Sequence, residues 1–296
     1  MNASVIGQFA ENFVNFLFDH FRGGFDAFSA ALGAVVSLLE GGLAAVPFLA
    51  MLIFLMALAL WRRGVVFSAF TGAALWVIQY MNLWQQTVSS LALVIAATVI
   101  SLLIGVPLGI WGARSKRAEL VLRSVLDFMQ TMPPFVYLIP AVVLFGLGRV
   151  PAVIATIVFS MPPVVRLTTL GIRQVREELI EAGRSFGSTD AQLLWKIQLP
   201  NALPSIMAGV NQTIMMALSM VVIASMIGAG GLGEYVLSGI QRLDIGIGFE
   251  GGLGVVLLAI ILDRLTESFG VKAKKSTKKV AGGPAKAASP GKAAGN

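Results

Sequence analysis

The sequence predicts an all-α fold: a polytopic membrane helix bundle of about seven transmembrane helices, preceded by an amphipathic helix and interrupted by one polar helix pair. Three observations predict it. Of 296 residues, 56% are hydrophobic and only 12% charged, far from the balance of a soluble domain. Apolar stretches close to the length needed to cross about 30 Å of hydrocarbon recur along the chain. Between two of them lies EAGRSFGSTDAQLLWKIQLP, residues 181–200, whose polarity has no place in lipid.

The first element covers residues 1–42, where Phe9, Phe13, Phe16, Leu17 and Phe21 recur at helical spacing with acids between them. That pattern predicts an amphipathic helix on the outer leaflet or against the bundle. The start lacks the basic region and short apolar run of a cleaved signal, so it is expected to stay in the mature protein. Spans near 43–60 and 64–81 form an N-terminal pair within residues 43–84; only WRRG separates them, and the second carries Thr71 and Gly72 in its middle. Five more spans, near 87–111, 125–147, 151–172, 204–227 and 250–265, fall within residues 85–268. The net charge of +7 resides in residues 269–296, which hold lysines 272, 274, 275, 278, 279, 286 and 292 and no acid beyond Val271. This composition predicts a disordered, solvated tail near anionic headgroups rather than a nucleic-acid arm.

Orientation follows from where Lys and Arg collect, because cytoplasmic loops hold the excess. Arg62 and Arg63, then Arg114, Lys116, Arg117 and Arg123, then Arg173, Arg176, Arg184 and Lys196 all fall on one side with the lysine tail. The other side has only Arg22, Arg149 and Arg242. Seven spans then put the N-terminus outside and the C-terminus in the cytoplasm of a multi-pass protein of the cell (inner or plasma) membrane. Trp61, Trp84, Trp111 and Tyr80 at span ends are read as interfacial belt residues. Pro107, Pro133, Pro134, Pro140, Pro162 and Pro163 interrupt spans and predict kinks lining a cavity or neighbouring helices.

Several chemistries are excluded. With no cysteine and one histidine, His20, disulfides, thiolate metal sites and cysteine nucleophiles are absent. There is no P-loop, and GAGGLG at 228–233 follows a membrane helix rather than a strand, so it is read as a flexible turn. No side-chain constellation supports catalysis, so the chain is expected to be no enzyme and to bind no cofactor. Ionisable residues in the spans are peripheral: Asp127, four residues from Arg123 as a pair, Arg166 late in a span, and Asp263 with Arg264 closing the last. An ion-coupled carrier acting alone is the alternative of a different class, with sodium sites available only from broken helices.

The polar insert, within a loop at residues 173–203, carries the strongest signal. From Glu177 a helix can run with Leu179, Ala182, Gly183 and Phe186 on one face and Gly187 as its stop. Thr189 with Gln192 makes a capping-box pattern for a second helix, which Pro200 is expected to end. Ala182 and Gly183 at the bend would admit a partner's backbone, and Phe186 a partner's pocket. A helix pair resting on headgroups fits the same pattern.

Glu181, Ala182, Gly183, Gly187, Ile197, Leu199 and Pro200 resemble the signature loop of permease subunits of ATP-binding-cassette importers: Glu-Ala-Ala, three residues, Gly, nine residues, Ile, any residue, Leu-Pro. Every spacing is kept, with Gly183 in place of the third-position Ala. LDFMQTMPPFVYLIPAVVLFGLG, NQTIMMALSMVVIASMIGAGGLG and LAIILDRLTE look like the glycine betaine and proline branch, over roughly residues 85–268. The resemblance implies a cytoplasmic coupling helix pair in which Glu181, Ala182, Gly183, Phe186, Gly187, Ser188, Ile197, Leu199 and Pro200 meet an ATPase subunit. It implies a second copy of the permease, two ATP-binding subunits that hold the ATP, and a substrate-binding protein outside the membrane. Because the chain ends in a short tail, that protein is expected to be separate. Glycine betaine or proline betaine is the implied substrate, choline the rival; the resemblance names no substrate-binding residues.

Overall fold

The computed structural model describes residues 5–281, and every described element is helical. In chain order these are α1 (Val5–Ala44), α2 (Phe48–Arg63), α3 (Val65–Tyr80), α4 (Trp84–Arg114), α5 (Lys116–Thr131), α6 (Pro134–Phe145) and α7 (Arg149–Arg173). The polar α8 (Glu177–Ser185) and α9 (Asp190–Gln192) follow, and a π-helical turn (Leu193–Gln198) leads into α10 (Leu199–Ser225), α11 (Leu232–Arg242) and α12 (Ile245–Ala281).

The centre is α4, α7 and α10, held by close backbone approach. A Cβ added to Gly105 would lie 2.5 Å from a Val164 methyl, and one on Gly109 would lie 2.6 Å from Thr168 Cβ and 2.8 Å from the Val165 carbonyl. Lipid tails are as apolar as a helix surface, so association in the bilayer depends on such close packing and on polar contacts between helices. Thr169 Oγ1 donates to the Gly109 carbonyl at 2.9 Å. Pro162 and Pro163 lie in this core, buried in α7.

Two faces of the bundle are pinned by polar contacts. At one, the Glu40 carboxylate accepts from Ser89 and from Arg149, tying α1, α4 and α7 together; Gly148 N–H donates to the Ile227 carbonyl at 2.8 Å. There Gly228, Gly230 and Gly231 all have positive φ (83°, 76° and 79°), and Leu232 N–H donates to Ser90 Oγ at 2.8 Å. The segment GAGGLG, expected to be a turn, is one, and it is tied to α4 through Ser90. At the other face, Arg63 pairs with Glu267 and donates to the Arg264 carbonyl. Arg173 binds the Gly112 and Ala113 carbonyls at the end of α4 and pairs with Glu119.

The span count differs from the expected seven. Five helices are long and apolar enough to cross a membrane, six with the bent pair α5–α6 taken as one. The expected span 125–147 is broken: α5 and α6 meet at 94°, because Pro133 and Pro134 cannot continue the ladder and force Met132 to an extended backbone, ψ 132°. The 43–60 and 64–81 segments are 16-residue helices, each about 24 Å long. Conversely Phe18–Ala44, inside the segment expected to lie on the leaflet, has the length and hydropathy of a span; its aromatic spacing concealed the apolar run after Phe25. Trp61, Trp111 and Tyr80 are exposed at helix ends as expected, whereas Trp84 packs edge-on against Phe48. Helix α12 continues to Ala281, into the segment predicted to be disordered, because extending an existing helix avoids the nucleation barrier. The rest of the tail lies outside the described residues.

Replacing Gly109 by Val should lower stability by about 1–3 kcal/mol, since the α4–α7 approach leaves no room for a branched side chain. A thermal unfolding midpoint in detergent equal to that of the unaltered chain would refute this packing.

Candidate functional site

The polar insert forms a compact hairpin of helices. Helix α8 ends in a full Schellman motif: Ser188 N–H donates to the Gly183 carbonyl at 3.0 Å and Gly187 N–H to the Arg184 carbonyl at 2.8 Å. Gly187 takes φ +76° there, a left-handed conformation that costs an ordinary residue about 1–2 kcal/mol. Two residues on, the capping box expected at Thr189 and Gln192 is formed in both directions: Gln192 N–H to Thr189 Oγ1 at 3.3 Å, and Thr189 N–H to Gln192 Oε1 at 2.9 Å.

Gly183 differs from its expected role. It is buried, and an added Cβ would lie 2.6 Å from both Ile197 Cδ1 and Leu193 Cδ2. Its smallness serves the contact of α8 with the following turn, not a partner's backbone. Ala182 next to it is exposed, as are Glu181 and Gly187, while Ser188 is half-buried. Phe186 stands 91% exposed, with almost no cover from its own chain.

Pro200 also departs from expectation: it stands in the first turn of α10 instead of ending the second helix. The π-helical turn accommodates it, with Leu199 N–H donating to the Leu194 carbonyl, and Asn201 Nδ2 donates to the Ile197 carbonyl at 2.7 Å. The Asn201 side chain thus adds a bond in the turn where proline removes one. The result is one helix from Asp190 to Ser225, 36 residues, about 54 Å long. Leu199 and Leu194 pack with Ile172, Ala202 and Ile206 at the foot of the bundle, so Leu194 and Leu199 fasten the hairpin to it, while Ile197 seats against Gly183 within the hairpin.

Two features escaped the sequence reading. Trp195 is 68% exposed on the hairpin, and a tryptophan within a polar insert was the available signal. On α10, Ala208, Gln212, Met215 and Ser219 are exposed at three- and four-residue steps, with Ser205 half-buried below them. The exposed face of α2 is different, with Leu49, Ile53, Phe54 and Leu60. A cleft of ≈ 840 Å³ lies along the lower part of the stripe, lined also by Pro204, Asn211 and Asp263, with Asn211 Nδ2 donating to Asp263 Oδ1 at 3.3 Å. Asp127 pairs not with Arg123 but with Arg166 on α7, at 2.6 Å, since the fold brings the two helices side by side. Among the described residues no group of His, Cys, Asp or Glu could hold a metal ion.

Residues 105–274 match the sequence profile of the family described as "Binding-protein-dependent transport system inner membrane component". The chain is 56% identical over 219 residues to the glycine betaine/proline betaine transport system permease protein ProW of Escherichia coli (strain K12), a match covering 74% of this chain and 62% of that protein. The chain thus spans less than two thirds of that relative. It is 44% identical over 271 residues to the glycine betaine transport system permease protein OpuAB of Bacillus subtilis (strain 168), covering 91% of this chain and 95% of OpuAB. Among solved structures, the native crystal form of the inward-facing MetNI methionine ABC transporter superposes with a TM-score of 0.58 at 20% identity, over 66% of this chain and 97% of that one, a likeness of fold.

Substituting Gly183 by Leu should force α8 off the turn and free the hairpin from α10. Protease cleavage between residues 176 and 190 should accelerate at least tenfold, because a tenfold change corresponds to about 1.4 kcal/mol of local opening. Unchanged cleavage would show that the 2.6 Å approach is not what holds the hairpin.

Proposed function

We propose, from the premise that this chain belongs to the family of binding-protein-dependent transport system inner membrane components, that it is the membrane subunit of an importer for glycine betaine or a closely related betaine. The identities to permeases named for glycine betaine support that substrate over choline. One observation carries the mechanism: the outgoing limb of the exposed hairpin, on which α8 is seated through Gly183, and the stripe of α10 lie on a single continuous helix. A push on the first is delivered to the second.

In this reading an ATP-hydrolysing subunit grips Glu181, Ala182 and Phe186, which the hairpin leaves uncovered, with Trp195 beside them. Gly187, Ser188, Ile197, Leu199 and Pro200 shape the hairpin and fasten it. Two copies of the chain face each other through the stripe Ala208, Gln212, Met215 and Ser219, whose Gln212 and Ser219 offer hydrogen-bonding groups to a wet path and whose small Ala208 permits close approach. Closure of two such ATPase subunits on ATP moves both hairpins, and the tilt of α10 opens the path to one side or the other. A separate substrate-binding protein delivers the solute from outside. The chain itself performs no hydrolysis.

The hairpin face, with its arginines, is proposed to be cytoplasmic together with the C-terminal end. The N-terminal end is outside if α1 lies along the outer leaflet; a crossing by Phe18–Ala44 brings it to the cytoplasmic face. Because the chain has no cysteine, single substitutions report this without background. Ser188→Cys should react with a membrane-impermeant maleimide only in inside-out vesicles, and reaction in intact cells would overturn the orientation; Asp19→Cys decides the N-terminal end.

Phe186→Ala should weaken copurification of the ATPase subunit by roughly tenfold to a hundredfold, the equivalent of burying one large apolar side chain. Betaine uptake should fall while the chain remains in the membrane. Full uptake with intact copurification would reject the docking role, and uptake by this chain alone in liposomes under an ion gradient would reject the importer.

A further inference from the structure

We propose that the groove between α5 and α7 binds the phosphate headgroup of an anionic phospholipid, a site that goes beyond the transport reading and needs only that α5 reach a membrane surface. The groove holds a cavity of ≈ 350 Å³ lined by Arg123, Arg166 and Arg173 against Glu119 and Asp127, three positive groups to two negative. The three arginines are not equivalent. Arg173 is committed: Nε and Nη2 donate to the Ala113 and Gly112 carbonyls and Nη1 pairs with Glu119. Arg166 uses Nη2 on Asp127 at 2.6 Å. Arg123 lines the cavity with no partner among the described residues, because the carboxylate one turn along its own helix has been taken by α7.

The excess charge therefore sits at Arg123 and the unused N–H groups of Arg166, and guanidinium pairs of this kind recognise phosphate through charge-assisted hydrogen bonds. The surroundings select a lipid. Helix α5 begins with Lys116 and Arg117, and one turn before Arg123 it exposes Leu120 at the edge of the cavity, which Leu122 and Leu126 of α5 and the exposed Leu170 of α7 also line. A headgroup in the cavity would start its acyl chains over Leu120 and Leu170, whereas free phosphate would leave those side chains bare. Basic pockets between membrane helices at headgroup level are suited to anionic lipids.

The purified full chain, in micelles containing equal parts of phosphatidylglycerol and phosphatidylcholine, should retain phosphatidylglycerol selectively in native mass spectra. Arg123→Gln should lower that retention about tenfold, the loss of one charge-assisted contact. Arg123→Lys should keep part of it. Asp127→Asn removes a negative group and should strengthen retention, an effect opposite to that of general damage to the groove. Equal retention of both lipids, no effect of Arg123→Gln, or weaker retention in Asp127→Asn would overturn the proposal. Displacement of the lipid by millimolar inorganic phosphate would also overturn it, assigning the cavity to a soluble anion.

Discussion

The contact between Gly183 and the side chains of Leu193 and Ile197 is the constraint on which the functional reading depends. An α8 free to swing would absorb any force applied at Phe186 before it reached the membrane. With no side chain at residue 183, α8 seats on the turn so closely that a single carbon would not fit. Position 187, in left-handed conformation, and the Thr189–Gln192 box then close the bend within a few residues. The hairpin is stiff because its backbone groups are satisfied locally, through the Schellman bonds and the capping box, rather than by water.

Stiffness would achieve little if the hairpin were loosely joined to the bundle. Its outgoing limb is α10 itself, continued through the π-helical turn that Pro200 and Asn201 make tolerable. Its incoming limb follows Arg173, whose guanidinium ties the last carbonyls of α4 to α5 and α7. The same α4, α7 and α10 pack through glycines, so the base of the hairpin and the centre of the bundle are one packed unit. Interfaces of this kind deform by discrete repacking rather than by gradual bending, which suits an element that must alternate between two states.

Much of this was legible in the chain because it rests on local chemistry. Spacing from Glu181 to Pro200 marked the hairpin; Gly187, Thr189 and Gln192 marked its turn, since caps are set by residues a few positions apart. What was missed depends on neighbours distant in sequence. Asp127 has an arginine one turn away on its own helix, yet pairs with Arg166, 39 residues on. Gly183 reads as an open bend until Leu193 and Ile197 fold over it. The stripe on α10 is too sparse to disturb its hydropathy and becomes meaningful only when its exposed side is known. The bend at Pro133 and Pro134 was visible as a proline pair, but its 94° angle depends on where α5 and α6 pack.

Magnitudes then decide how the hairpin has to be used. Driving a two-state gate from one conformation almost wholly to the other takes about 5.5 kcal/mol of differential interaction. One phenylalanine seated in a partner supplies at most about 1.5–3 kcal/mol, so Phe186 in a single chain falls short. Two facing copies, each inserting its Phe186, reach roughly 3–6 kcal/mol, and Trp195, 68% exposed on the same element, adds a second apolar anchor. One hairpin that buries both Phe186 and Trp195 thus reaches the same roughly 3–6 kcal/mol as two phenylalanines, and a pair of hairpins exceeds what the gate requires. Only the part of that burial that differs between the two conformations moves the gate, since contacts made equally in both shift nothing, so the anchors have to be seated more deeply in one state than in the other.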